Sequence, residues 1–209
     1  MTYFIKEIFY TLQGEGAHAG RPAVFCRFSR CNLWTGLERD RARAVCQFCD
    51  TDFVGIDGEG GGRFADAQAL ASAIVAKWPG GGRPYVVCTG GEPLLQLDEP
   101  VIEALHGYGF EVAVETNGTQ VAPVGLDWVC VSPKAGAPLV LTSGDELKLV
   151  YPQVGAEPDL FRHLKFASFR LQPMDNELVG ENTLAAVKYC MDNPQWSLSL
   201  QTHKHLGIP

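Results

Sequence analysis

The 209 residues are 46% hydrophobic and 20% charged, an ordinary globular composition that can build a sizeable core and excludes a disordered or fibrous chain. A formal charge of -7 argues against a broad electrostatic footprint for nucleic acid or an anionic membrane and favours a small-molecule ligand. With roughly 150 residues per domain as the prior and no linker-like stretch in view, a single domain over residues 1–209 is expected.

The opening stretch, MTYFIKEIFYTLQGEG, has no basic segment leading into an apolar run. Nowhere do the roughly 18 successive apolar residues of a membrane helix occur, so a soluble, cytoplasmic protein is expected. Of the seven cysteines, only Cys26, Cys31, Cys46 and Cys49 form a dense group, while Cys88, Cys130 and Cys190 are scattered in hydrophobic runs. This usage fits metal chemistry in a reducing compartment better than a disulfide framework.

Apolar runs of strand length occur at residues 23–28, 85–88, 111–114, 128–131, 146–151, 166–171 and 197–200. Most are nearly continuous, as in strands covered on both faces. Helical patterns fall at 64–77, 99–107, 157–164 and 181–192, with Asp66 or a neighbour placed to cap the first and Pro79 to close it. The alternation predicts βα units on a parallel sheet. Two crossovers, 116–127 and 133–145, are rich in turn residues and too short for a full helix, so some helices are missing. The glycine clusters at 58–63 and 79–84 lack the strand-glycine-helix order of a nucleotide motif and read as mobile loops.

Strand after strand ends in a polar tail: 29–31, 89–93 (TGGEP), 115–118, 132–134 (SPK), 172–175 and 201–204 (QTHK). In parallel α/β folds ligands bind at the carboxyl ends of strands, so these tails are expected to face one pocket. His203 and His205 are read as one face of a terminal strand.

The spacing C-x14-C-x2-C of Cys31, Cys46 and Cys49 makes a metal or iron-sulfur site the leading reading. Three thiolates suit a cubane cluster with one iron left open, whereas an electron-transfer cluster or a closed zinc site needs four ligands. Adding Cys26 gives a four-cysteine set, so a zinc-stabilised binding module stays open. Alternation puts Val24, Cys26 and Phe28 on one strand face, where Cys26 reads as a small buried hydrophobe, and turns Arg27 the other way.

These motifs together resemble a known family. The cysteine pattern, F-x-T-L-Q-G-E-G at 9–16, GRPAVFCRF at 20–28, TGGEP, ETNGT at 115–119, SPK and QTHK are similar to the 7-carboxy-7-deazaguanine synthase family of the radical S-adenosylmethionine (SAM) superfamily. The superfamily's commoner pattern is C-x3-C-x2-C. The longer segment between Cys31 and Cys46 resembles the expanded cluster loop found within this family.

The resemblance implies an α/β fold, a modified partial (β/α)6-like barrel with some helices missing and with cluster and substrate at the C-terminal ends of the strands. Cys31, Cys46 and Cys49 would hold a 4Fe-4S cluster whose fourth iron takes the amino and carboxylate groups of SAM. By resemblance the SAM contacts are Phe48, Cys49, Asp50, Gly91, Ser132, Pro133, Lys134, Gln172, Pro173, Met174 and Asp175. Gly90 and Gly91 would let the backbone approach the methionyl end of SAM.

The implied substrate is 6-carboxy-5,6,7,8-tetrahydropterin, converted to 7-carboxy-7-deazaguanine by a radical ring contraction with loss of ammonia. This lyase step feeds 7-deazapurine synthesis, including queuosine in transfer RNA, without direct nucleic-acid contact. Arg27 is a guanidinium suited to the substrate carboxylate, with a structural ion pair as its other reading. Leu12, Gln13, Gly14 and Glu15 would read the pterin edge, Thr89 would add a hydroxyl, and His203 and the terminal Pro209 would line the pocket. Thr51 resembles the family's magnesium ligand. A flavodoxin or ferredoxin electron donor and a homodimer are also implied. A radical SAM activase of another enzyme would share the cysteines and TGGEP, but the Q-G-E-G loop and Arg27 favour a small anionic substrate.

Overall fold

The computed structural model describes residues 1–209. The apolar runs form β2 (Pro22–Phe28), β4 (Tyr85–Gly90), β5 (Glu111–Thr116), β6 (Trp128–Val131), β7 (Ser143–Tyr151), β8 (Lys165–Pro173) and β9 (Trp196–Leu198). Two further strands, β1 (Tyr3–Leu12) and β3 (Gly62–Phe64), complete one nine-stranded sheet in the order β3-β1-β2-β4-β5-β6-β7-β8-β9. From β2 to β9 every pairing is parallel, while β1 runs antiparallel to both β2 and β3. The glycine stretch 58–63 is therefore no free loop. Ile8 donates to the carbonyl of Glu59, Gly58 donates to Lys6, and Gly62 pairs with Ile5.

Helices cover only part of the sheet. α1 (Ala67–Val75) is capped by the carboxylate of Asp66, which accepts from the Ala69 amide at 2.8 Å. α2 (Glu99–Gly107) is capped by Asp98 and has Pro100 in its first turn, where a missing N–H costs nothing. α3 (Val179–Asp192) connects β8 to β9, and the short α4 (Thr202–Leu206) follows β9. The connections from β5 to β6 and from β6 to β7 contain no helix. Neither does the span 157–164, expected to be helical: only Pro158–Leu160 makes a single 3₁₀ turn before β8 begins at Lys165.

One core lies between α1, α2 and one face of β1, β2, β4 and β5, where Ile5, Val24, Cys26, Phe28, Val86 and Val114 meet Leu70, Ile74, Ile102 and Leu105. A second joins α3 to β6–β9 through Leu147, Leu149, Phe169, Leu171, Ala186 and Trp196. Each buried aliphatic or aromatic side chain here contributes about 1.5–3 kcal/mol by leaving water.

The sheet does not close, since β3 and β9 are its edges, but it curls. Gln13, just beyond β1, reaches Glu115 on β5, and Glu15 reaches Lys148 on β7. The 13–20 segment fills the N-terminal mouth of the curl: Ala17 donates to Glu146, Gly16 donates to Ser199, and the His18 ring packs at a tilt against Trp128, with centroids 4.2 Å apart. Gly16 has φ +69, a left-handed conformation that side chains disfavour, and a Cβ there would stand 2.2 Å from Glu146 Oε1.

Candidate active site

The concave face of the sheet encloses a cavity of about 410 Å³, within the range of small-molecule sites. The polar tails after β2, β4, β5, β6 and β8 form its rim, as expected from strand direction, through Cys31, Thr89 to Gly91, Glu115 to Asn117, Ser132, Lys134 and Gln172 to Asp175. The Q-G-E-G segment enters from the opposite end. Because β1 runs antiparallel to its neighbours, Leu12, Gln13, Gly14 and Glu15 form the floor.

Cys31, Cys46 and Cys49 all border this cavity. Hydrogen bonding between the two thiols lowers Cys49 and pushes Cys46 up, so Cys49 is the readier thiolate of the pair. Cys31 accepts from the Leu33 amide at 3.4 Å. No three His, Cys, Asp or Glu side chains converge on a point that would hold a single ion. Three thiols on one cavity suit the separate corners of an iron-sulfur cubane, each binding its own iron. Cys26 is fully buried on the other face, paired across the ladder with Cys88 inside the core, which removes the four-cysteine zinc set.

The glycines of TGGEP serve the packing of the chain itself. A Cβ on Gly91 would lie 2.1 Å from the Arg30 carbonyl, and one on Gly90 would lie 2.2 Å from that of Phe28. They let the root of the cysteine loop lie against β4. Glu92 is wholly buried and accepts from the Thr116 hydroxyl and the amides of Asn117 and Leu94, which ties the ends of β4 and β5 together. Lys134 is turned back onto Ser132, 2.6 Å from its hydroxyl, and burial lowers its affinity for a proton. Its ammonium also lies 6.0 Å from the Phe48 ring.

Arg27 faces the cavity as alternation requires, and its Nε donates to Glu7 Oε1 at 2.7 Å. The ion pair and the open site coexist, because a side-on bond through Nε leaves the terminal nitrogens available. Asp50 is held below its usual range, the Lys204 ammonium at 2.6 Å outweighing burial, and Lys204 also bonds to Asp175. Thr51, Phe48, Pro173 and Met174 border the cavity. Pro133 does not; its carbonyl accepts from Gln153 instead.

The QTHK tail departs from the expected strand. Thr202–Leu206 is helical, with Gly207 at φ 66 as its left-handed end, so His203 and His205 point apart rather than sharing a face. His203 packs on Gly14, where a Cβ would meet its ring at 2.1 Å, while His205 is exposed. The Thr202 amide and hydroxyl both donate to Gly14 O, and the Thr11 hydroxyl donates to Pro209 O at 3.0 Å. This segment thereby closes the gap between β9 and β1.

Among the cavity residues, Glu7 and Lys148 were not singled out by the motif reading, whereas Glu115 and Gln201 stood there only as the first residues of the ETNGT and QTHK tails. Lys148 and Glu115 carried a usable signal. Each is a charge inside a strand, out of phase with the buried Leu147 and Leu149 or Val112 and Val114.

No protein-family model matches the chain. It is 64% identical over 210 residues to the 7-carboxy-7-deazaguanine synthase of Caulobacter vibrioides, with all of both chains covered. The identity to the protein of that name from Bordetella pertussis is 63% over 212 residues, again with both chains fully covered. Among solved structures, that of QueE from Escherichia coli matches with a TM-score of 0.72 at 28% identity, covering 96% of this chain and 94% of that one. Identity of this degree along the whole length is decisive: the chain belongs to the 7-carboxy-7-deazaguanine synthase family.

Proposed function

We infer that the chain is a radical SAM lyase that converts 6-carboxy-5,6,7,8-tetrahydropterin to 7-carboxy-7-deazaguanine. The observation that carries this reading is the meeting, in one cavity, of the three thiols of the C-x14-C-x2-C set and the Q-G-E-G floor. The 4Fe-4S cluster and SAM, when bound, supply a 5′-deoxyadenosyl radical.

The chain's own residues bind, orient and exclude water. Cys31, Cys46 and Cys49 would hold the cluster, and Phe48, Asp50, Gly91, Ser132, Lys134 and the 172–175 tail, which border the same cavity, would form the SAM side. Pro133 would act there only by shaping its neighbours, since it does not face the cavity. Below them, the free terminal nitrogens of Arg27 suit the substrate carboxylate, and Gln13, Glu15 and Thr89 offer acceptors and donors to the pterin edge. His203 and Pro209 complete the wall that keeps water from the radical.

Thr51 is the magnesium ligand in this reading, supported by its place on the cavity wall and by magnesium's habit of keeping waters and leaning on substrate oxygens. A flavodoxin or ferredoxin donor and homodimeric assembly belong to the same reading. The exposed arginines Arg39 and Arg43 in the turn Glu38–Arg43, just before Cys46, suit an acidic donor.

The test is anaerobic: reconstituted protein with reductant, SAM, magnesium and 6-carboxytetrahydropterin, followed by mass spectrometry. 5′-Deoxyadenosine with a ring-contracted product is expected. Deoxyadenosine without that product would reject the substrate, and neither from a verified iron-sulfur protein would reject the enzyme class.

A further inference from the structure

The cavity floor holds an array of three charges. Lys148, in the middle of β7, has a side chain only 6% exposed and stands 2.5 Å from Glu15 Oε2 and 3.1 Å from Glu115 Oε2. The remaining oxygen of each carboxylate is also held: Gln201 donates to Glu15 Oε1 at 2.9 Å, and Gln13 donates to Glu115 Oε1 at 2.8 Å. Both carboxylate groups are thus fixed from two sides. All five side chains border the cavity, and they come from the plug, β5, β7 and the segment after β9.

Such an array is a poor source of stability. Removing three charges from water costs more than their attraction returns in many proteins, and apolar residues would fill the space at least as well. Its placement on the cavity face, and the two carboxylates left for one lysine, indicate a binding purpose. Two acceptors side by side match the amino and ring N–H donors along the 2-amino-4-oxo edge of a pterin.

We propose that Lys148 is a positioning residue that draws Glu15 and Glu115 into adjacent, fixed places, so that the pair accepts from the N–H edge of the bicyclic substrate. The inference rests on the pterin reading given above. Without the lysine the two carboxylates repel each other, and one must swing away or take up a proton, which spoils the acceptor pair. The low value of Glu15, held near about 2 by Lys148 and the Gln201 and Gln172 amides against the effect of burial, agrees with this role.

The experiment uses reconstituted holoenzyme and compares Lys148→Met, Lys148→Arg, Glu115→Gln and the double variant Lys148→Met with Glu115→Gln. Lys148→Met is expected to raise KM for 6-carboxytetrahydropterin by about tenfold or more, while KM for SAM and the cluster absorbance stay at wild-type values. Lys148→Arg should recover most of that loss. The double variant should lie closer to wild type than Lys148→Met alone, because one of the repelling charges is gone. A wild-type KM in Lys148→Met, a parallel rise of both KM values, or a double variant worse than Lys148→Met would each overturn the proposal. If Lys148→Met does not fold, Glu115→Gln decides: a raised pterin KM supports the pair, and an unchanged one rejects it. Failure of the wild-type protein to make ring-contracted product would instead reject the substrate reading.

Discussion

On β2, Val24, Cys26 and Phe28 lie fully buried against the side chains of α1 and α2, whereas Phe25 and Arg27 turn into the cavity. The same contrast runs across the sheet. On β5, Val112 and Val114 join the core while Glu115 faces the site; on β7, Leu147 and Leu149 join the second core while Lys148 and Val150 face the site. One backbone with a period of two therefore carries two sets of residues under different constraints. The convex face answers to packing density. The concave face answers to charge and to the shape of what it holds, and the plug, the cysteine loop and α4 cover it.

Substitutions that separate the two faces put this contrast at risk. Serine at Cys31, Cys46 or Cys49 is expected to abolish deoxyadenosine formation and iron binding while thermal unfolding of the apoprotein moves little; retained iron in any of the three would contradict the three-thiol site. Leu105→Ala, on the fully buried face of α2, should cost about 2–5 kcal/mol in chemical denaturation and leave iron content and KM unchanged. Cys26→Ser is the sharper control, since it alters a cysteine of the same dense group on the opposite face. It should cost about 1–3 kcal/mol for a hydroxyl without a partner, with iron content intact, and loss of iron would restore Cys26 as a ligand. The smallest effect concerns acid. Glu15 is depressed from about 4.5 to about 2 in the folded protein, so its stabilising contribution is complete above pH 4.5 and disappears as pH falls toward 2. Glu15→Gln should flatten the acid limb of the stability profile over that window, measured by denaturation at successive pH values.

Much of this organisation was legible in the residues. The parallel strands, α2, α3 and the polar rim followed from apolar runs and their tails, and the opposed faces of Cys26 and Arg27 followed from alternation alone. β1 did not, for a physical reason: its register shifts between Ile5 and Glu7, so the buried residues Tyr3 and Ile5 are followed by Ile8 rather than by Glu7, and a broken period is a weak signal. The span 157–164 carried a helical pattern, yet only a 3₁₀ turn at Pro158–Leu160 forms there before β8 begins at Lys165. The QTHK tail looked strand-like because its α-helical character is set by contacts with Gly14 and by the turn at Gly207, neither of which local propensity reveals. The link between the floor charges was hidden for a related reason: Glu15 reads as a contact to the pterin edge, but nothing local shows that it shares a hydrogen bond with Lys148, 133 positions away.

The strand order has a consequence for assembly on the ribosome. From β2 onward each parallel strand pairs with the one synthesised before it, so the sheet can lengthen at one edge as the chain emerges, with modest loop-closure cost at each addition. The bond from Thr202 to Gly14 spans 188 positions and cannot form until β9 is in place. The walls of the radical chamber therefore stand before its last opening is shut, and an inorganic cluster need not be threaded into a finished shell.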